Sequence, residues 1–332
     1  MTNPLPATEI ITGQPKAATL LARSLRSEKI SHAYLFRGPD GVGKQEAATL
    51  FAAQLNCGEQ QNSTACRICP SCRKFFSGNH PDFIRIEPDG AAIKISQIRE
   101  LKKTLSFPPF EARFRVALLV NVHTMRREAA NSMLKTLEEP PEDTVIILTG
   151  DETGGILPTI LSRCQIIPFF ALPHGQVAET LRDEAEISQE EAAALAAAAE
   201  GSLGRARSLH KSGLLAHRRE IVKTLLQYPA DAAEAVEPIL TLAEQGGALK
   251  ENLPELLDLL RLWLRDLIIT KIGGTSNLIT SQDLQPSFAE ALNRWTIADL
   301  SERFGHLEQA EKQLSRNCNR ALVCEVLFFA LL

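Results

Sequence analysis

The sequence predicts an α/β domain around a largely parallel sheet, followed by an all-helical remainder. Three observations predict it. Short apolar runs alternate with amphipathic stretches through residue 170, and one of those runs feeds a glycine-rich loop that opens a helix. After Phe170 the strand-like runs stop, and the pattern stays helical to Leu332. A chain of 332 residues has room for two or three domains, and 44% hydrophobic residues supply their cores.

The elements follow in order. Ala33–Arg37 reads as a strand and Gly43–Leu55 as the helix after it. Phe83–Ile86, Arg115–Val122, Thr144–Thr149 and Gln165–Pro168 read as further strands, with helices over Ser96–Thr104 and Arg126–Glu138 between them. Strands separated by helices pair in parallel, because each crossover returns the chain to the same end of the sheet. Beyond residue 170, an Ala-rich segment at 192–199 and leucines at helical spacing through Leu253–Ile269 carry the helical signal. Gln227–Ala233 and Lys271–Ser287 are turn-rich connections. The expected division is an α/β domain at 1–170, a small helical unit at 171–210 and a larger helical domain at 211–332. There is no internal repeat.

Composition excludes several classes. The net charge of −4 gives no global basic field of the kind a stand-alone DNA binder carries. No window approaches 18 uncharged apolar residues; Leu256–Ile269 is interrupted by Asp258, Arg261, Arg265 and Asp266 and reads as a core helix, not a membrane span. The N-terminus lacks the basic and apolar regions of a secretory signal, so a cytoplasmic location with reduced cysteines is expected.

Gly38-Pro39-Asp40-Gly41-Val42-Gly43-Lys44-Gln45 is a G-x-x-x-x-G-K loop between a strand and a helix. Gly38, Gly41 and Gly43 let backbone N–H groups face a phosphate, and Lys44 reaches toward the terminal phosphates. The next position should be a Ser or Thr whose hydroxyl ligates magnesium; here it is Gln45. A hydrolysing site also needs an Asp at the end of the apolar strand, usually with a Glu beside it. That strand reads Leu118-Leu119-Val120-Asn121-Val122-His123 and carries no carboxylate. The loop is compatible with ATP or ADP but the surrounding residues are not built to hydrolyse it.

Cys57, Cys66, Cys69 and Cys72 place four thiols within sixteen residues. In a reduced protein this spacing supports a tetrahedral, all-thiolate zinc site with no open position, hence structural and not catalytic. Arg67, Arg73 and Lys74 read as a charged, solvated face of that module, with DNA contact the less favoured reading. His80 is not needed, since four cysteines complete the shell. Glu138 and Glu139 are adjacent on a helix and face different directions, which argues against a shared acid/base role. They read as a helix end and an inter-subunit surface.

Three further segments complete a pattern: His32-Ala33-Tyr34-Leu35-Phe36, Leu134-Lys135-Thr136-Leu137-Glu138-Glu139-Pro140-Pro141, and Ile160-Leu161-Ser162-Arg163-Cys164. With the phosphate loop, they resemble the bacterial DNA polymerase III clamp-loader subunits of the AAA+ group. The resemblance implies an AAA+/RecA-like P-loop domain, a small helical lid and a helical collar that assembles five subunits. It also implies gamma/tau and delta subunits as partners, a sliding clamp and primed DNA as targets, and no membrane. Motor subunits of this group keep the magnesium hydroxyl and an Asp-Glu pair. Another kind loses both and keeps Ser-Arg-Cys, and this chain resembles that kind. Arg163, flanked by Ser162 and Cys164, is then implied to be an arginine finger entering the ATP site of a ring neighbour. In the segment Gly201-Ser202-Leu203-Gly204, Gly204 stands where motor subunits carry a nucleotide-sensing arginine, and Arg205 comes one residue late. The alternatives are an ATP-hydrolysing motor subunit of the same fold and a zinc-bearing nucleic-acid module. The missing carboxylates weigh against the first and the net charge against the second.

Overall fold

The computed structural model describes residues 13–27, 29–59, 64–151, 155–229, 232–275 and 278–332. The chain divides into two units, Met1–Leu172 and Pro173–Leu332. In the first, α1 (Pro15–Arg26) precedes β1 (Ala33–Arg37), α2 (Lys44–Leu55), α3 (Pro70–Phe76) and β2 (Phe83–Ile86). Then come α4 (Ile95–Leu105), β3 (Arg115–Leu119), α5 (Arg127–Glu138), β4 (Thr144–Gly150), α6 (Pro158–Leu161) and β5 (Gln165–Pro168). The five strands form one sheet in the order β2-β3-β4-β1-β5, and every pairing is parallel.

Both faces of this sheet are covered, which is why its strands read as continuous apolar runs. Alternation along each strand splits the core in two. Tyr34, Phe36, Val116, Leu118 and Ile147 pack with Leu21, Phe51 and Phe75 on one face. Leu35, Ala117, Leu119, Ile146 and Leu148 pack with Ile98, Leu101, Met133 and Leu137 on the other.

The third strand stops earlier than its apolar run. After Val120, whose N–H still reaches Ile86 O, Asn121 turns left-handed at φ 55°, and Val122–Thr124 wind into a 3-10 turn. The Asn121 N–H leaves the ladder for the Thr149 hydroxyl at 3.0 Å. Helices α1 and α3 were not expected. Each starts with Pro at its first position, where a missing N–H costs nothing.

The second unit is helical throughout its described residues, with α7 (His174–Ala185), α8 (Gln189–Ala198), α9 (Leu203–Ser212), α10 (Leu214–Gln227) and α11 (Val236–Ala248). It continues through α12 (Leu253–Lys271), α13 (Gln285–Arg294), α14 (Ile297–Ser315) and α15 (Arg320–Leu331). Leu256, Leu260, Trp263 and Leu267 of α12 are buried within this unit, and the Trp263 ring meets Trp295 edge-on at 5.8 Å. Among the described residues, no helix is long and apolar enough to cross a membrane.

Candidate functional site

The phosphate loop leaves β1 at the carboxyl end of the sheet, the usual ligand side of a parallel α/β fold. Its first residue must be glycine. A Cβ at Gly38 would lie 2.2 Å from Phe169 O. Gly43, at φ 94°, caps α2 in a conformation that other residues avoid. Lys44 is buried, and its ammonium donates to Gly38 O at 2.6 Å and Pro39 O at 2.5 Å, with Asp40 at 3.7 Å. The loop thus closes on its own lysine.

Gln45, in the magnesium-hydroxyl position, accepts a 2.5 Å hydrogen bond from Arg85 Nη2, and Arg85 Nε donates to Glu87 at 2.8 Å. A guanidinium therefore engages the side chain that a metal ion would need. The ends of β3 and β4 meet the loop nearby: Gly38 N–H bonds Gly150 O at 3.1 Å, and Thr149 is fully buried beneath Asn121. Asn121 Oδ1 is itself buried with no hydrogen-bond partner. An amide here can neither carry a metal's charge balance nor accept a proton from water.

The four cysteines of the module converge. Their Sγ atoms all lie within 4.8 Å of one another. Tetrahedral Zn–S bonds of about 2.3 Å imply S···S separations of roughly 3.8 Å, and Cys66 Sγ and Cys72 Sγ are 3.9 Å apart. Peptide N–H groups already point at the sulfurs: Cys69 N at Cys66 Sγ (3.3 Å), Cys72 N at Cys69 Sγ (3.4 Å) and Cys66 N at Cys57 Sγ (3.5 Å). The Cys69 N–H draws the Cys66 thiol down to about 7, whereas burial pushes Cys57 and Cys72 up. Buried thiols of that kind ionise together only against a cation, so the donor set fits zinc. His80 is not part of it: its buried ring stacks on Phe75 at 4.0 Å and accepts from Asp82 N–H at Nδ1.

Arg163 follows α6, whose last turn places Ser162 and Arg163 on the surface. Arg163 Nη1 donates to Thr159 O at 3.0 Å and Ser162 Oγ at 3.1 Å, and Nη2 pairs with Glu138 Oε1 at 2.6 Å. Cys164 turns inward and packs against the core, where burial pushes its thiol up to about 12. Strand register fixes where Arg163 stands. β5 pairs with β1 so that Gln165 lies beside Tyr34 and Pro168 beside Arg37. Arg163 therefore precedes the amino ends of the strands, while the phosphate loop leaves their carboxyl ends. Four strand residues at about 3.3 Å each put the two levels roughly 13 Å apart. The structure does not bring Arg163 to this chain's own loop.

Arg205 sits in an acidic nest, with Glu200 and Glu255 at 3.5 Å and Asp258 at 4.0 Å. Sequence reasoning missed one centre altogether. Asp82, fully buried, accepts from the N–H groups of Phe110 (2.7 Å), Glu111 (2.8 Å) and Ala112 (3.0 Å) and from Arg115 Nη2 (2.9 Å). Arg115 Nη1 in turn donates to Thr104 O and Phe107 O. The pair pins the connection between α4 and β3, and Lys74–Glu111 at 2.6 Å ties the cysteine module to it. The only sequence signal was a charged residue just before β2 and another at the first position of β3.

Comparison with known proteins completes the picture. A family described as DNA polymerase III, delta subunit, matches residues 13–173, and one described as DNA polymerase III, delta subunit, C terminal, matches residues 212–331. DNA polymerase III subunit delta' of Bacillus subtilis is 31% identical over 309 residues, covering 92% of each chain. Its counterpart in Pseudomonas aeruginosa is 36% identical over 216 residues, 62% of this chain and 65% of the relative. DNA polymerase III subunit tau of Escherichia coli is 39% identical over 204 residues, which are 60% of this chain but 32% of tau. A solved gamma subunit-related protein of Thermotoga maritima covers 94% of this chain and 97% of its own at TM-score 0.45 and 19% identity, too distant to add to the assignment. With similarity running through nine-tenths of both chains, the sequence belongs to the DNA polymerase III subunit delta' family.

Proposed function

We propose that this chain is a non-hydrolysing clamp-loader subunit that supplies Arg163 in trans to the ATP site of a neighbouring gamma/tau-type subunit. It supports loading of a sliding clamp onto primed DNA in a ring that also contains delta. The observation that carries this reading is the placement of Arg163 at the opposite end of the sheet from the chain's own phosphate loop. A guanidinium exposed there can reach a phosphoryl group only on another subunit, where its planar fork stabilises charge on the transferring group.

The chain's own loop has no part in turnover. Gln45 offers no hydroxyl and is held by Arg85, and Asn121 replaces the metal-binding carboxylate. ATP or ADP held by Gly38, Gly41, Gly43 and Lys44 would stay intact. That also disfavours the motor reading. Residues 171–210 and 211–332 serve as lid and collar, the latter assembling the ring. Zinc held by Cys57, Cys66, Cys69 and Cys72 fixes the segment between α2 and β2 and supplies no chemistry.

The test is reconstitution with partner subunits. Arg163→Ala is expected to join the complex normally, because a half-exposed arginine with only surface partners contributes little to its own fold, and to slow both ATP hydrolysis and clamp loading. Normal assembly with unmodified rates would sink the proposal.

A further inference from the structure

Resting on that reading of Arg163, we infer that Glu138 is a releasable counter-ion: it holds the guanidinium in the lone subunit and gives it up to the neighbour's phosphoryl group. Glu138 Oε1 lies 2.6 Å from Arg163 Nη2, and Thr159 O and Ser162 Oγ take both Nη1 protons. The finger is therefore not a free side chain. Three groups of its own chain occupy three of its five donors.

Carboxylate and phosphoryl oxygens suit the same guanidinium fork, so they compete for it. Nor can both stay. A carboxylate 2.6 Å from the guanidinium would sit close to any phosphoryl group held by that guanidinium, and it would cancel the charge the finger brings. Half-exposed partners make the exchange cheap. The side chains are 34% and 49% exposed, and pairs of that kind contribute little in water. Glu138 is the last residue of α5, two before Pro140, so its backbone is anchored at a helix end and its carboxylate cannot follow the arginine far. Docking on a nucleotide-bearing neighbour thus trades one anion for another, and the nucleotide and the interface report to each other through this exchange.

The counter-ion is a positioning residue, and its effect lies in binding and not in the chemical step. In the reconstituted complex, with hydrolysis measured across an ATP titration, Glu138→Gln should lower the half-saturating ATP concentration about two- to five-fold, the range an exposed ion pair supports. The plateau rate should not change. The shift should vanish when Arg163→Ala is also present, and Glu139→Gln, which removes the same charge one residue away, should be silent. An unchanged half-saturating concentration, a lowered plateau, an equal shift in the Arg163→Ala background or the same shift from Glu139→Gln would each overturn the counter-ion role. If Arg163→Ala alone leaves hydrolysis untouched, the finger itself is wrong, and the counter-ion falls with it.

Discussion

Asp82→Ala is the substitution that should disturb the first unit most for its size. The carboxylate is fully buried and accepts three backbone N–H bonds as well as two from Arg115. Removing it leaves the Arg115 guanidinium buried without a counter-charge and the amides of residues 110–112 without acceptors. Breaking one side of such a buried pair costs about 3–5 kcal/mol, a large part of a domain's typical margin. In the double variant Arg115→Met should recover some of this, since the uncompensated charge goes too. Burial alone would raise the Asp82 pKa, but the three amides and Arg115 outweigh it and hold the carboxyl below its ordinary range. The stability it contributes is therefore fully present above its unfolded value near ~3.9 and is lost as pH falls through the lower folded value. The assay is hydrogen exchange of the 110–112 amides together with urea unfolding, because two units need not melt as one. A loss under about 1 kcal/mol with those amides still protected would refute the reasoning.

Two further outcomes are expected. Purified, unchelated protein should carry one zinc per chain, and Cys69→Ser should release it and expose the segment around residues 57–72 to protease. Structural zinc is worth roughly 10–16 kcal/mol in small modules, so elemental analysis finding no zinc would remove the claim. The isolated chain should not hydrolyse ATP, and Gln45→Thr should not restore activity, because Asn121 still stands where a carboxylate is needed; steady turnover abolished by Lys44→Ala would show that the chain is a motor.

The fold class was legible because a sheet covered on both faces writes its strands as apolar runs. β1, β2 and β5 begin and end where those runs do. Four cysteines at short spacing were legible for a similar reason: local sequence sets most of their geometry. What failed was non-local. Gln45 meets Arg85 forty residues on, Asp82 meets Arg115 thirty-three on, and Glu138 meets Arg163 across a strand and a helix. Each depends on the order in which the strands lie side by side, which no local pattern encodes. The early end of β3 was hidden for a different reason. Val120 and Val122 favour strand, but Asn121 tolerates the left-handed region and takes it.

The most direct measurement isolates the one ATP site that this chain is proposed to serve. In a reconstituted loader whose other ATP sites are disabled, single-turnover hydrolysis should fall about 10³- to 10⁵-fold with Arg163→Ala, the range attributable to an arginine finger. Arg163→Lys should recover little, because an ammonium cannot reproduce the guanidinium fork. Arg205→Ala, removing a side chain already held by Glu200, Glu255 and Asp258, should change the rate little. Hydrolysis at that site proceeding at the unmodified rate with Arg163→Ala, in a complex shown to be fully assembled, would contradict the account.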